Sequence, residues 1–214
     1  MVSKEIAKYK TDKKSMFMSD RLVLAEVDNF AEIWSEGGKG RIPATIGVAI
    51  LNHAKEPSVS VAANFSPSEV KRLFAYIQKV SMENGDWEWQ QTAGTGKIVA
   101  AVKDKDGYSP VKNIQLIRQE LDKDGKKRGY PWFVRITNGL GIAQTRDTGG
   151  TVIKSGSFKK TGEEFVSLKD EDIYDIFDKV CSYIELWKLA NAIPNIKAGQ
   201  SKFMQELEER KKVG

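Results

Sequence analysis

Cysteine and histidine are almost missing from this chain: Cys181 and His53 are the only representatives among 214 residues. A lone cysteine excludes an intrachain disulfide framework and fits a reducing compartment. It falls among apolar residues of a predicted helix, which reads as a buried structural thiol rather than a nucleophile. A single histidine rules out a Cys/His zinc site and works against a Ser-His-Asp triad. No run approaches the roughly 18 apolar residues of a membrane-spanning helix. The opening "MVSKEIAKYKTDKKSMFMSD" carries charge throughout and has no apolar core, unlike a signal peptide. These absences lead to the expectation of a cytoplasmic protein.

A strong charge surplus is lacking too. Lys and Arg number 34 against 29 Asp and Glu, a net charge of +5, which permits a polyanionic partner without requiring one. The chain is 40% hydrophobic and 29% charged, as globular proteins are, and long enough for one large core or two small ones.

What is present is a succession of short β-rich segments, twice closed by a helix. Residues 1–19 hold five lysines and no clear periodicity, and read as a basic flexible arm. Strands are expected at 21–28, 30–36, 44–53 and 58–65, with "GGKG" (37–40) as a break. "FSPSEVKRLFAYIQKV" (65–80) then predicts a helix: Ser66 as N-cap, Pro67 at the first helical position and Glu69 completing a capping box. Val70, Leu73, Phe74, Ile77 and Val80 mark its apolar face.

β character returns at 86–92, 97–104 and 111–121. "DKDGKKRG" (122–129) reads as a hairpin turn into "YPWFVRIT", followed by further short strands at 140–145, 151–157 and 164–167. A second helix is expected over 168–191, with Ile173, Ile176, Phe177, Val180 and Ile184 on one face. The organisation predicted is an arm (1–19), a first β-sheet-plus-helix repeat (20–82), a second (83–191) and a polar C-terminal tail (192–214). The fold class is α+β, with two antiparallel sheet-plus-helix repeats and the helices on one face of the sheets.

This order of elements resembles the Whirly family and the related PC4-like coactivators, single-stranded DNA-binding proteins built from β-β-β-β-α units. "FSPSEVKRL" (65–73) and "EEFVSLKDEDIYDIFDKVCSYIELW" (163–187) resemble the strand-to-helix junctions that close the two Whirly repeats. "GKGRIPATI" (38–46) echoes the family's lysine-glycine contact motif. The resemblance implies non-enzymatic binding of single-stranded DNA, or RNA, with little sequence preference, and a homo-oligomer. It makes Lys39 and Arg41 contact cations.

The residues themselves offer candidates of the same kind. Cations that follow phosphates and rings that stack on unpaired bases are what hold a single strand. Lys126, Lys127 and Arg128 precede Tyr130, Trp132 and Phe133. Alternation puts Tyr130, Trp132, Val134 and Ile136 on one side, taken as core, and Phe133 and Arg135 on the other, taken as outer. Tyr130 is kept as a binding candidate beside the turn. Trp87 and Trp89 share one side of a strand as a stacking platform or as an ordinary core edge. Arg146, Lys154, Lys159 and Lys160 lie in a glycine-rich stretch that could act as a flap or be merely solvated.

Other signatures fail. "GTG" (94–96) lacks the spacing of a phosphate loop. Asp104–Gly107 and Asp122–Gly125 lack the further ligands of a calcium loop and read as Asp-Gly turns. Asp170, Glu171 and Asp172 suit a helix start, where the dipole favours them, better than a metal-nuclease site. No cofactor or metal is expected. The rival readings are a protein-protein assembly module using strand edges and aromatics, and a metal-dependent nucleic-acid enzyme.

Overall fold

The computed structural model describes residues 4–22, 32–34, 41–43, 45–83, 86–91, 97–98, 103–147, 151–194 and, singly, 197, 201, 204 and 208. Strands β1 (Glu5–Lys10) and β2 (Lys14–Arg21) form a hairpin. A small pair, β3 (Glu32–Trp34) and β4 (Arg41–Pro43), stands apart from the main sheets. β5 (Thr45–Asn52) and β6 (Val59–Phe65) complete a four-stranded antiparallel sheet of order β1-β2-β5-β6.

Residues 5–19 are therefore not the mobile arm expected from their lysines. Alternation explains it: Ala7, Met16 and Met18 are buried, Lys8 and Lys10 occupy the opposite side, Lys13 the turn, and Lys14 opens β2 and pairs with Glu164. The expected strand 21–28 lies outside the described residues beyond Leu22. Of 30–36, Glu32–Trp34 is described, as β3.

Helix α1 (Pro67–Glu83) begins where the capping residues predict. Ser66 Oγ accepts from the Glu69 amide at 3.2 Å, and the Glu69 carboxylate accepts from the Ser66 amide at 2.6 Å. Val70, Leu73, Ile77 and Val80 are buried beneath it.

The second sheet is antiparallel and larger. β7 (Trp87–Gln91) and β8 (Lys97–Ile98) pair with one edge of β9 (Tyr108–Arg118), whose other edge pairs with β10 (Trp132–Thr145). β11 (Thr151–Ile153) joins the far end of β10, and β12 (Lys159–Leu168) joins its near portion. The segment 140–145, expected as a separate strand, is the continuation of β10. α2 (Asp170–Ala190) follows directly, three carboxylates in its first turn.

Both helices and the inner sides of both sheets close on one apolar core. Phe65 and Phe177 meet at 6.3 Å between ring centroids, and Phe74 of α1 lies 5.3 Å from Tyr174 of α2. Of the polar tail, Ala192–Pro194 and, singly, Lys197, Ser201, Met204 and Glu208 are described, and all are helical.

Candidate nucleic-acid interface

The β9–β10 hairpin carries the cationic triplet on a built turn. Asp122 Oδ1 accepts from the amides of Asp124 and Lys126, each at 2.9 Å, and Gly125 takes a positive φ of 76° that a side chain would resist. Lys126 is exposed. Lys127 pairs with Glu120 at 3.1 Å. Arg128 donates from Nε to the Leu121 carbonyl at 3.0 Å, which lays its guanidinium 5.4 Å from the centroid of Phe133.

Along β10, Trp132, Val134 and Ile136 point into the core, whereas Phe133, Arg135 and Thr137 lie on the outer side. Register extends this outer side across three strands: Ile117, Phe133 and Ser167 form one row; Gln115, Arg135 and Phe165 a second; Asn113, Thr137 and Glu163 a third. Phe133 and Phe165 stand 6.3 Å apart at 51°. Arg135 reaches Gln115 Oε1 at 3.4 Å, and Lys14 arrives from the first sheet with its ammonium 4.3 Å above Phe165. Two rings and three cations thus share one surface.

Next to it, where the β1–β2 turn meets β12, a groove of about 330 Å³ opens among Tyr9, Lys13, Lys14, Tyr130, Phe165 and Ser167. Tyr130 is 50% exposed, not core as strict alternation predicts, because the strand starts only at Trp132, after Pro131. Lys169 lies 5.9 Å from its ring. Burial, then the negative charge of Asp172 and the neighbouring Tyr130, raise the pKa of the Tyr9 phenol, so it stays a neutral hydrogen-bonding group at physiological pH.

Other predicted site residues lie elsewhere. Trp87 is half-buried, 5.9 Å from Trp132 and 5.9 Å from Tyr76, on the inner side of the sheet; it is a core edge and not a stacking platform. The backbone of Trp89 is paired in register with Leu116, and its side chain lies outside the described residues. Lys39 lies outside the described residues. For Arg41 only the backbone is described, in β4 opposite Trp34.

Of the remaining cations, Lys160 reaches the edge of this outer side through Glu163, whereas Arg146 and Lys154 are not brought to the Phe133 surface. Arg146 and Lys154 are exposed at the far end of β10, roughly 45 Å along the strand from the Lys126 turn at ~3.4 Å per residue. Lys159 sits 3.9 Å over Tyr108, whose hydroxyl helps raise the Lys159 pKa, and Lys160 pairs with Glu163 at 3.7 Å. A barrier lies between the two ends: Phe158 rests on Gly139, leaving no room for a Cβ, and Ile153 rests on Gly141.

Sequence reasoning missed Tyr9, Lys13, Lys14 and Phe165. The alternation of "EEFVSL" (163–168) marks Phe165 as outward, but the lysines are joined to it only by the packing of one sheet on the other.

Comparison with protein-family models, curated proteins and solved structures finds no match for the chain. Among the described residues no helix is long and apolar enough to cross a membrane, and no group of three or more His, Cys, Asp or Glu residues could hold a metal.

Proposed function

We propose that this protein binds single-stranded nucleic acid, DNA in preference to RNA, without catalysis and with little sequence specificity. One observation carries the reading: Phe133 and Phe165 lie together on an outward sheet surface with Arg128, Arg135 and Lys14 over or beside them. Phe165 is exposed and Phe133 half-exposed; rings open to solvent gain by stacking on unpaired bases, about 1–3 kcal/mol per base, and that gain is tolerant of sequence because every base has a flat face. The groove beside Tyr9 and Tyr130 extends the surface. The order of elements supports the likeness to Whirly and PC4-like proteins, since β1-β2-β5-β6 is followed by α1 and β7-β9-β10-β12 by α2. On this reading the two sheet-plus-helix units are copies of one ancestral unit.

Anisotropy of a fluorescein-labelled oligothymidine tests the proposal. Binding at low salt that weakens as salt rises, with a log–log slope of about −0.7 per phosphate neutralised, is the expected result. No anisotropy change at low salt would overturn it.

A second activity, assembly with copies of itself, is favoured by Leu186, Leu189 and Ile193, which are 66%, 75% and 67% exposed along the end of α2 and the helical residues after it. Light scattering of the eluted protein checks it: Leu186→Ser with Leu189→Ser should lower the measured mass to that of one chain.

A further inference from the structure

Glu164 is only 3% exposed, although its neighbours in β12, Glu163 and Phe165, face outward. Three groups of the first sheet converge on it. Lys14, at the start of β2, lies 2.9 Å from Oε2; Asn52, at the end of β5, donates to Oε2 at 3.1 Å; and Lys55, in the following turn, pairs with Oε1. Lys14 also donates to the Phe165 carbonyl at 2.9 Å while its ammonium lies over the Phe165 ring. Two of its three N–H donors are thereby engaged inside the protein.

Burying an ionised carboxylate carries a desolvation penalty of several kcal/mol, which its partners must offset. Val166 and Leu168, the next inward positions of β12, are apolar, and Glu164 lies beside buried Ile136 in register. An apolar residue would fit this position at lower cost. What the charge adds is direction, since it ties the edge of the second sheet to three fixed points of the first and holds Lys14 against Phe165.

We infer that Glu164, acting through Lys14, is a positioning residue that fixes the Phe165 ring and the adjacent groove wall, and that Lys14 supports the ring rather than neutralising a phosphate. The inference rests on the binding function proposed above and assigns separate tasks to two adjacent lysines. Lys13 is exposed on the groove rim and is the phosphate contact.

Oligothymidine anisotropy across a potassium chloride series tests it with the full-length chain. Lys14→Ala should weaken binding about five-fold or more at every salt concentration and leave the salt slope unchanged; Lys14→Arg should restore most of that loss. Lys13→Ala should make the slope shallower by about 0.7. Glu164→Gln, which releases Lys14 and Lys55, should steepen the slope by ~0.7 per cation freed while weakening binding at high salt. A slope for Lys14→Ala as shallow as that for Lys13→Ala would overturn the inference, as would a Glu164→Gln protein that folds and binds like the parent. If Glu164→Gln does not fold, the two lysine variants decide alone. A parent chain that fails to bind overturns both this inference and the proposed function, whereas a binding parent with a phosphate-contacting Lys14 overturns only the inference.

Discussion

Asp170→Ala should be among the most damaging single changes in this protein. Arg118 is 1% exposed and meets Asp170 through two hydrogen bonds, Nε to Oδ1 at 3.0 Å and Nη2 to Oδ2 at 3.1 Å. Trp132, fully buried, donates its indole N–H to the same Oδ1 at 2.7 Å, and Ser81 donates to it at 3.3 Å. One carboxylate therefore joins β9, β10, the end of α1 and the start of α2. Burial would raise its pKa, but the bonds from Arg118 and Trp132 outweigh that and hold it below the usual range. Removing one partner of a buried ion pair costs about 3–5 kcal/mol, and a stranded indole donor about 1–3 kcal/mol.

The two losses overlap because they share one oxygen. Glu120 remains 2.7 Å from Arg118, and the Asp170 side chain is 35% exposed, so water can replace part of what is lost. An expected loss of about 4 kcal/mol follows, a large part of the roughly 5–15 kcal/mol that keeps a domain folded. Urea unfolding followed by tryptophan fluorescence measures it, with the slope against urea unchanged. Arg118→Met in the same chain should recover about 2 kcal/mol, because no buried guanidinium is then left without Asp170, and Glu120 keeps its ion pair with Lys127. A loss below about 1 kcal/mol for Asp170→Ala, or a double variant less stable than the single one, would refute this account of the network.

Three further outcomes are expected. Burial would raise the Glu164 pKa, but hydrogen bonds from Lys55, Lys14 and Asn52 lower it from 4.5 to about 2. The stabilisation this represents, about 3 kcal/mol, is full above pH 4.5 and is lost as pH falls through 2; acid unfolding should show that limb, and Glu164→Gln should flatten it. Phe133→Ala and Phe165→Ala should each weaken oligothymidine binding about 5- to 100-fold with an unchanged salt slope, measured by anisotropy. Changing Lys126, Lys127 and Arg128 together to Ala should make that slope shallower by about 1–2, since each phosphate contact contributes about 0.7.

The parts of the fold legible in the sequence are those set by neighbours in the chain. The capping residues around Ser66 place the start of α1, and the Asp-Gly turn with the alternation after Pro131 separates Phe133 from Trp132. The β1–β2 hairpin was hidden because its inward residues are few and small or flexible (Ala7, Met16, Met18), with lysines beside them that look like a solvated segment. The two tryptophans of β7 were ambiguous because an aromatic pair on one side of a strand suits a core and a platform equally. Tyr76 and Trp132 decide the matter for Trp87, and both are remote in sequence. The groove was least legible. Lys14 and Phe165 are 151 positions apart, and no local pattern announces that one will sit over the other.

On the proposed reading, the packing of Phe158 over Gly139 would limit how much polymer one molecule can hold. Among the described residues, the half-exposed outer side of β10 from Phe133 to Thr137 spans about 14 Å at ~3.4 Å per step, so on the proposed reading a chain following that strand would turn aside toward Tyr130 and the lysine rim. On that reading so short a footprint would give a weak individual grip, and long targets would be held by several molecules side by side, each raising the effective concentration of the next contact.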